Sequence, residues 1–219
     1  MKPTRTILAL CATWFLAAQE PLPLKLPAAA TSGATLADAL AGRKSIRTLG
    51  GPGLSLAEAG QLLWAAQGEN RPGKRTVPSA HGKYPLELYL LTAGGMSLPA
   101  GFYHYESTGH QVKKLADGSP HTLLGKLKSM QPWIASAPAV FVVAGVPTRI
   151  DPTGKNATLT YYEGGAAAQC LLLQAVALGL DAGTASGLDM DAVAQALKLP
   201  AGTHILTVLP VGREKSPNS

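Results

Sequence analysis

Residues 161–180, YYEGGAAAQCLLLQAVALGL, run for twenty positions without a proline and with one charge, Glu163. Small and apolar residues occupy nearly every helical face. A helix with that pattern has no side suited to water and is expected to be enclosed by its own chain or by a partner. Gly164 and Gly165 lie inside it. Each glycine costs a helix about 1 kcal/mol relative to alanine, so close approach of another element, for instance across a dimer axis, is the compensation to look for. Cys170 sits within the same pattern and reads as a small buried hydrophobe rather than a nucleophile.

The segments around this helix supply the rest of a fold. Upstream, AVFVVAG at 139–145, extended by Val146, is a continuous apolar run of strand type, buried on both faces. Downstream, 189–197 reads as a helix and HILTVLPVG at 204–212 as a last buried strand. Further strands are expected at 86–92, 101–106 and 111–115, the last two joined as a hairpin through 107–110. A short helix is expected at 122–128. Earlier still, Thr35 opens a short helix ending near Gly42. Ser55 with Glu58 three residues later is a capping box, opening a helix that Gly68 stops. Residues 69–85 are too rich in proline and glycine for regular structure, and a loop of that length is more often functional than idle. Helices and strands without strict alternation predict an α+β fold, a mixed or antiparallel central sheet flanked by helices.

The chain has 219 residues, 46% hydrophobic and 15% charged, enough for one domain with a sizeable core. Lys2 and Arg5 precede an apolar run from Ile7 to Ala18, the plan of a secretory signal peptide at 1–18 and too short to span a bilayer comfortably. Residues 19–34 read as a Pro- and Ala-rich linker or arm, and 35–215 as the domain. The protein is therefore expected outside the cytoplasm, in a bacterial periplasm or similar space, with no stable membrane insertion once the signal is removed. Cleavage takes two of 19 cations and none of 13 acids, leaving 17 − 13 = +4. Those cations are scattered, with small groups at 71–75 and at Lys126 and Lys128, which argues against nucleic-acid binding. A single cysteine remains, so no internal disulfide forms, and no His, Cys and carboxylate cluster has metal-ligand spacing.

Four segments carry chemistry. Arg43, Lys44, Ser45 and Arg47 place three cations and a hydroxyl within five residues, suited to a phosphate or another anion, although a solvated basic turn would look the same. Residues 76–85 combine small residues with Pro78 and Pro85, which would let backbone groups approach a flat ligand; Pro78 and Ser79 are its candidates. Glu163 heads the glycine pair of the long helix. Ser186 and Gly187 precede a helix start, and Arg213 and Lys215 close the chain with a cationic pair.

Taken together, RKSIR at 43–47, LLWAAQG at 62–68, RTVPSA at 75–80, YPLELY at 84–89, AAAQ at 166–169 with ALGL at 177–180, and LPVG at 209–212 resemble the nitroreductase-like flavoproteins. More narrowly they are similar to the SagB-type dehydrogenase branch. The resemblance spans about residues 36–213. It implies FMN bound at the interface of a homodimer. Arg43 should then meet the FMN phosphate with help from Arg213 or Lys215, beside Lys44. Ser45 should bond the ribityl chain or flavin edge, and Arg47 should lie near flavin N1 and the C2 carbonyl, stabilising negative charge on the reduced ring. Pro78 and Ser79 should line the ring, and the Ser186 and Gly187 backbone should face N5. Arg47 and Glu163 are the candidates for a catalytic role.

That resemblance implies an oxidoreductase passing hydride from a donor, NAD(P)H, through flavin N5 to a small oxidised acceptor by ping-pong kinetics. The alternatives are a SagB-type dehydrogenase of a peptide-derived or envelope substrate, or a non-catalytic flavin-binding protein, since nicotinamides are scarce outside the cytoplasm. Ala166 stands where the azoline-oxidising branch commonly has His, Cys170 where the family usually has Asn, and Lys155 is followed by Asn156 rather than Tyr. Azoline oxidation is not what these departures favour.

Overall fold

A computed structural model describes residues 23–30, 33–94 and 98–215. The signal-peptide reading of residues 1–18 lies outside them. In chain order the elements are β1 (Leu24–Lys25), α1 (Leu36–Gly42), β2 (Leu49–Gly50), α2 (Leu56–Gln67), β3 (Glu69–Arg71), β4 (Lys74–Arg75), β5 (Leu86–Thr92), β6 (Gly101–Glu106) and β7 (Gln111–Ala116). Then follow α3 (Pro120–Leu124), α4 (Pro132–Ala135), β8 (Ala139–Gly145), α5 (Ala157–Ala177), β9 (Asp181–Ala182), α6 (Met190–Ala196) and β10 (His204–Glu214).

One sheet carries the fold, in the order β1-β7-β6-β5-β8-β10-β2, with β9 also pairing β10. All its pairings are antiparallel. β8 sits between β5 and β10, and its two faces show why its sequence is apolar throughout. Ala139, Phe141 and Val143 enter the core beneath α2 and α5, while Val140, Val142 and Ala144 enter a second core beneath α3, α4 and α6. Because successive strand residues point to opposite faces, a strand covered on both sides has no polar position to offer. The architecture is thus helices on both faces of an antiparallel α+β sheet.

The helix boundaries follow their capping chemistry. The Thr35 and Ser55 side chains accept from the backbone N–H groups of Asp38 and Glu58, and both capping boxes are complete. Each such cap contributes about 1 kcal/mol. α3 runs from Pro120 rather than 122, because Ser119 caps it and Pro120 takes the first helical position, where its missing N–H is no loss. α5 ends at Ala177, before the Leu178-Gly179-Leu180 segment expected to continue it. Gly179 has φ +68, and the Leu180 N–H reaches back to the Ala175 carbonyl, the closing bond of a Schellman stop.

Two regions differ from their sequence reading. Residues 69–85 are not free of regular structure: β3 and β4 pair as a small hairpin around Pro72-Gly73, where Gly73 supplies φ +67. Part of the segment read as a linker or arm is also seated. β1 pairs with β7, and Leu26 is buried in the core beside Gly60. No helix among the described residues is long and apolar enough to cross a membrane.

α5 is enclosed on one side only. Thr160, Glu163, Gly164, Ala167, Leu171 and Ala175 are buried. On its other side Tyr161, Tyr162, Gly165 and Gln169 are exposed, as are Leu36 and Leu40 on the adjoining α1. The glycine pair divides accordingly. A Cβ on Gly164 would collide with Leu206 of β10, so its bareness serves this chain's own packing. A Cβ on Gly165 would meet nothing within 4 Å.

Candidate active site

The sequence candidates fall into two groups at opposite ends of α5. At its C-terminal end the chain turns through β9, and the 43–47 segment lies against it: the Ile46 N–H donates to the Ala182 carbonyl at 2.9 Å. Gly183 sits so close to the Ile46 carbonyl and the Trp133 ring that a Cβ there would lie 2.9 Å from each. Anchoring by Ile46, itself buried, leaves its neighbours outward: Lys44, Ser45 and Arg47 are exposed and Arg43 is partly so. The Arg47 guanidinium stands 5.8 Å over the Trp133 ring. β10 continues past Val211, which pairs with Ala182, to bring Arg213 opposite Gly50. Lys215 folds over the bare face of Gly50. Ser186 and Gly187 are exposed beyond β9, and space is open around Gly187.

The charges here are only partly matched. Arg213 Nη2 donates to Glu58 Oε1 at 2.6 Å, whereas its Nη1 is buried with no hydrogen-bond partner among the described residues. Glu58 is already the capping residue of α2, its other oxygen taking Ser55 N–H at 2.7 Å and Ser55 Oγ at 2.9 Å. Burial alone would raise the Glu58 carboxyl, but these bonds and the Arg213 charge outweigh it and hold it below the usual carboxylate value. Lys44 has only a loose pair with Glu214 at 3.9 Å, both groups well exposed. Arg43, Lys44, Arg47, Arg213 and Lys215 therefore outnumber the carboxylates of Glu58, Asp181 and Glu214 at this end, and one buried guanidinium nitrogen has no acceptor among the described residues. That composition suits a phosphate.

At the other end of α5, Glu163 is 2% exposed and faces inward. Its Oε1 accepts from Ala80 N–H at 2.7 Å and Ser79 Oγ at 3.0 Å, and Ser79 Oγ accepts the Tyr84 N–H at 2.7 Å. One carboxylate thus holds the 79–84 loop closed, including His81 and Tyr84, whose φ values of 54° and 46° lie in the strained left-handed region. Glu163 Oε2 is buried without a partner among the described residues. The ring of His81 is exposed and makes no hydrogen bond among the described residues.

The two groups do not meet within one chain. From Glu163 to Ala177 an α-helix climbs about 21 Å at ~1.5 Å per residue, which separates Pro78 and Ser79 from Arg43, Ser45 and Arg47. The structure therefore brings Arg43, Lys44, Ser45, Arg47, Arg213 and Lys215 to one end, and Pro78, Ser79 and Glu163 to the other, while Ser186 and Gly187 follow Ala185, which bridges Val208 midway along β10, and join neither group. Sequence reasoning missed Trp133, which floors the first group, and Glu58, which shares Arg213; the first had no signal beyond its size, the second was read only as a cap. Among the described residues no group of three or more His, Cys, Asp or Glu is placed to hold a metal ion.

Comparison with known proteins matches residues 40–213 to a model of the Nitroreductase family. A protein of Methanocaldococcus jannaschii named as a nitroreductase is 30% identical over 182 residues, 82% of this chain and 91% of that one. Among solved structures, one from Ralstonia eutropha, also named as a nitroreductase, superposes with a TM-score of 0.76 at 28% identity, covering 89% of this chain and 90% of that one. A chain of the Escherichia coli microcin synthetase McbBCD complex, solved with truncated pro-MccB17, shares the fold at a TM-score of 0.66 and 18% identity, covering 97% and 85%.

Proposed function

This chain belongs to the nitroreductase family of oxidoreductases, and from that premise we propose that it binds FMN between two copies of itself and uses it to reduce a small oxidised acceptor. The observation that carries this reading is the division of the candidate site between the two ends of α5, together with the bare outer face of that helix. Two copies packed with their α5 helices antiparallel, Gly165 against the facing helix, would bring Pro78 and Ser79 of one to Arg43, Ser45 and Arg47 of the other. The exposed Tyr161, Tyr162, Leu36 and Leu40 would be covered in the same step.

The residues fit the cofactor. Arg43 and Arg213, with its unclaimed buried N–H, suit the phosphate, aided by Lys44 and Lys215. Ser45 offers a hydroxyl to the ribityl chain. Arg47, steadied by Trp133, supplies a fixed positive charge beside the ring edge. The Ser186 and Gly187 backbone, with open space about Gly187, allows a flat group to approach closely. Pro78 and Ser79, fixed by Glu163, shape the wall and exclude water. When bound, the flavin supplies two-electron redox chemistry that no side chain here possesses. NAD(P)H is the proposed donor, with donor and acceptor using one open face in turn.

The test is the visible spectrum of the purified protein with FMN, then anaerobic addition of NADH or NADPH. A bound-flavin spectrum that bleaches with nicotinamide and recovers with a quinone or nitroaromatic is the expected result. A protein that takes up no flavin ends this reading. Bound flavin indifferent to both nicotinamides would favour the SagB-type alternative with another donor, or a binding role.

A further inference from the structure

Beside the Pro78-Ser79 wall stands a cationic feature that the flavin reading leaves unused. The hairpin β3–β4 carries Arg71, Lys74 and Arg75, and between it and the 76–84 loop lies a cleft of ≈ 360 Å³ lined by all three cations together with Pro78, Ser79 and Tyr84. The carboxylate of the hairpin is spoken for: Glu69 Oε1 accepts the Gly73 N–H at 2.6 Å and fixes the turn. Arg71 and Lys74 are exposed.

Arg75 is the decisive residue. It is half-buried, and its guanidinium has no carboxylate within ion-pair distance among the described residues. It is instead held by neutral groups. Nη1 donates to Gln67 Oε1 at 2.9 Å, and the guanidinium lies 4.6 Å over the Tyr84 ring. Gln67 is itself 2% exposed, and its Nε2 is buried with no partner, so a fully buried amide has been placed where its oxygen orients this cation. Of the carboxylates about it, Glu69 lies opposite Arg75 in the hairpin register and bonds Gly73, and Glu87 is engaged by Arg149 Nη2 at 2.6 Å and His104 Nε2 at 2.7 Å. Burial pushes the Arg75 proton affinity below the usual guanidinium value, with the Glu87 charge only partly opposing it. A half-buried guanidinium without an ion-pair partner is one that a ligand anion can complete. A guanidinium already fixed in orientation suits planar, bidentate oxygen pairs.

We propose that Arg75, with Arg71 and Lys74 of the same hairpin, forms an anion-recognition site that holds the carboxylate or phosphate of a small molecule reacting beside Pro78 and Ser79. The binding chemistry stands on the hairpin alone, and the link to turnover rests on the flavin reading above. The anion comes either from the acceptor or from the phosphate of the nicotinamide donor. In both cases the exposed Arg71 and Lys74 raise the rate of encounter, and Arg75 fixes the register.

Two probes of nearly equal shape separate charge from fit, 4-nitrobenzoate and 4-nitrobenzamide. With the FMN-loaded protein, the KM for the benzoate is expected below that for the amide, with the advantage shrinking as salt rises because exposed charges are screened. In the Arg71→Gln/Lys74→Gln variant the benzoate advantage should fall about tenfold while kcat and the amide KM hold. If the NADPH-over-NADH preference collapses instead, the donor supplies the anion. Equal effects on benzoate and amide, and on both nicotinamides, overturn the proposal. Equilibrium titration of 4-nitrobenzoate, with flavin omitted, gives a second readout in the wild type and in Arg75→Gln. A chain that takes no flavin yet binds benzoate through Arg75 keeps the anion site and loses the flavin reading. A chain that turns over both probes alike and binds neither through Arg75 keeps the flavin reading and loses the site.

Discussion

The two ends of α5 fix their neighbours by different means. At the N-terminal end a single buried carboxylate, Glu163, gathers a loop that has no strand to pair with, through Ser79 and Ala80 directly and Tyr84 by way of Ser79. At the C-terminal end the work is done by main chain: Ile46 on Ala182, β9 on β10, β10 on β2. The difference teaches how a site frees its side chains. Where backbone ladders carry the structure, Arg43, Lys44, Ser45 and Arg47 stay available for a ligand. Where a loop lacks a ladder, a polar side chain must be buried to hold it and is no longer free to meet substrate.

The contrast breaks most visibly at Glu163. Glu163→Ala removes two hydrogen bonds and leaves two half-buried donors unmet, so a loss of about 2 kcal/mol is expected, read as a lower urea midpoint at constant slope. Proteolysis within 79–84 should accelerate in parallel. A variant of wild-type stability would mean the loop holds itself.

The glycine pair gives the next effect. Gly164→Val pushes into the Leu206 side chain, whereas the Cβ of Gly165→Val meets nothing within 4 Å. The two variants carry the same side chain on the same helix, so their stability difference, about 2 kcal/mol from overpacking, isolates the contact. It is best measured at low protein concentration, where association through the outer face contributes least. Equal stabilities would show that the inner face is not tightly packed.

The smallest effect belongs to Glu58. Its carboxyl is held below its ordinary value in the fold, so its contribution is fully present above about pH 4.5 and disappears as pH falls through the lowered value. Glu58→Gln should cost at most about 1 kcal/mol at neutral pH, and should flatten the acid limb of the stability curve below pH ~4.5. An unchanged acid limb would remove Glu58 from the account.

Much of this was legible beforehand, and the exceptions have physical reasons. β5 and β6 occupy the residues expected of them, and the two-sided burial of β8 followed from its lack of any polar position. β1, β2 and β9 are two residues each, too short to carry a period. The direction of Glu163 was hidden because α5 is small and apolar all round, so no polar stripe marks its outer face. The charge of 43–47 could be read, but its seat against Ala182 is a backbone bond between distant segments, and Trp133 enters only through packing on Gly183. Arg75 looked like one cation in a basic group; its buried amide partner Gln67 was hidden at the end of α2.

The pairing of Leu24 and Lys25 with β7 closes one border of the sheet. It is reinforced by Lys25 Nζ on the Gly109 carbonyl at 2.7 Å, the Leu26 N–H on the His110 carbonyl at 3.0 Å, and the His110 ring on the Pro27 carbonyl at 2.9 Å. β7 is the last long strand on that side of the sheet, and without this cover its outer N–H and C=O groups would be a template for another chain's strand. The consecutive lysines 113 and 114 discourage such templating but do not cap the bonds. Any trimming that reaches past Leu26 would therefore open a sticky border and uncover the apolar seat of Leu26 at once.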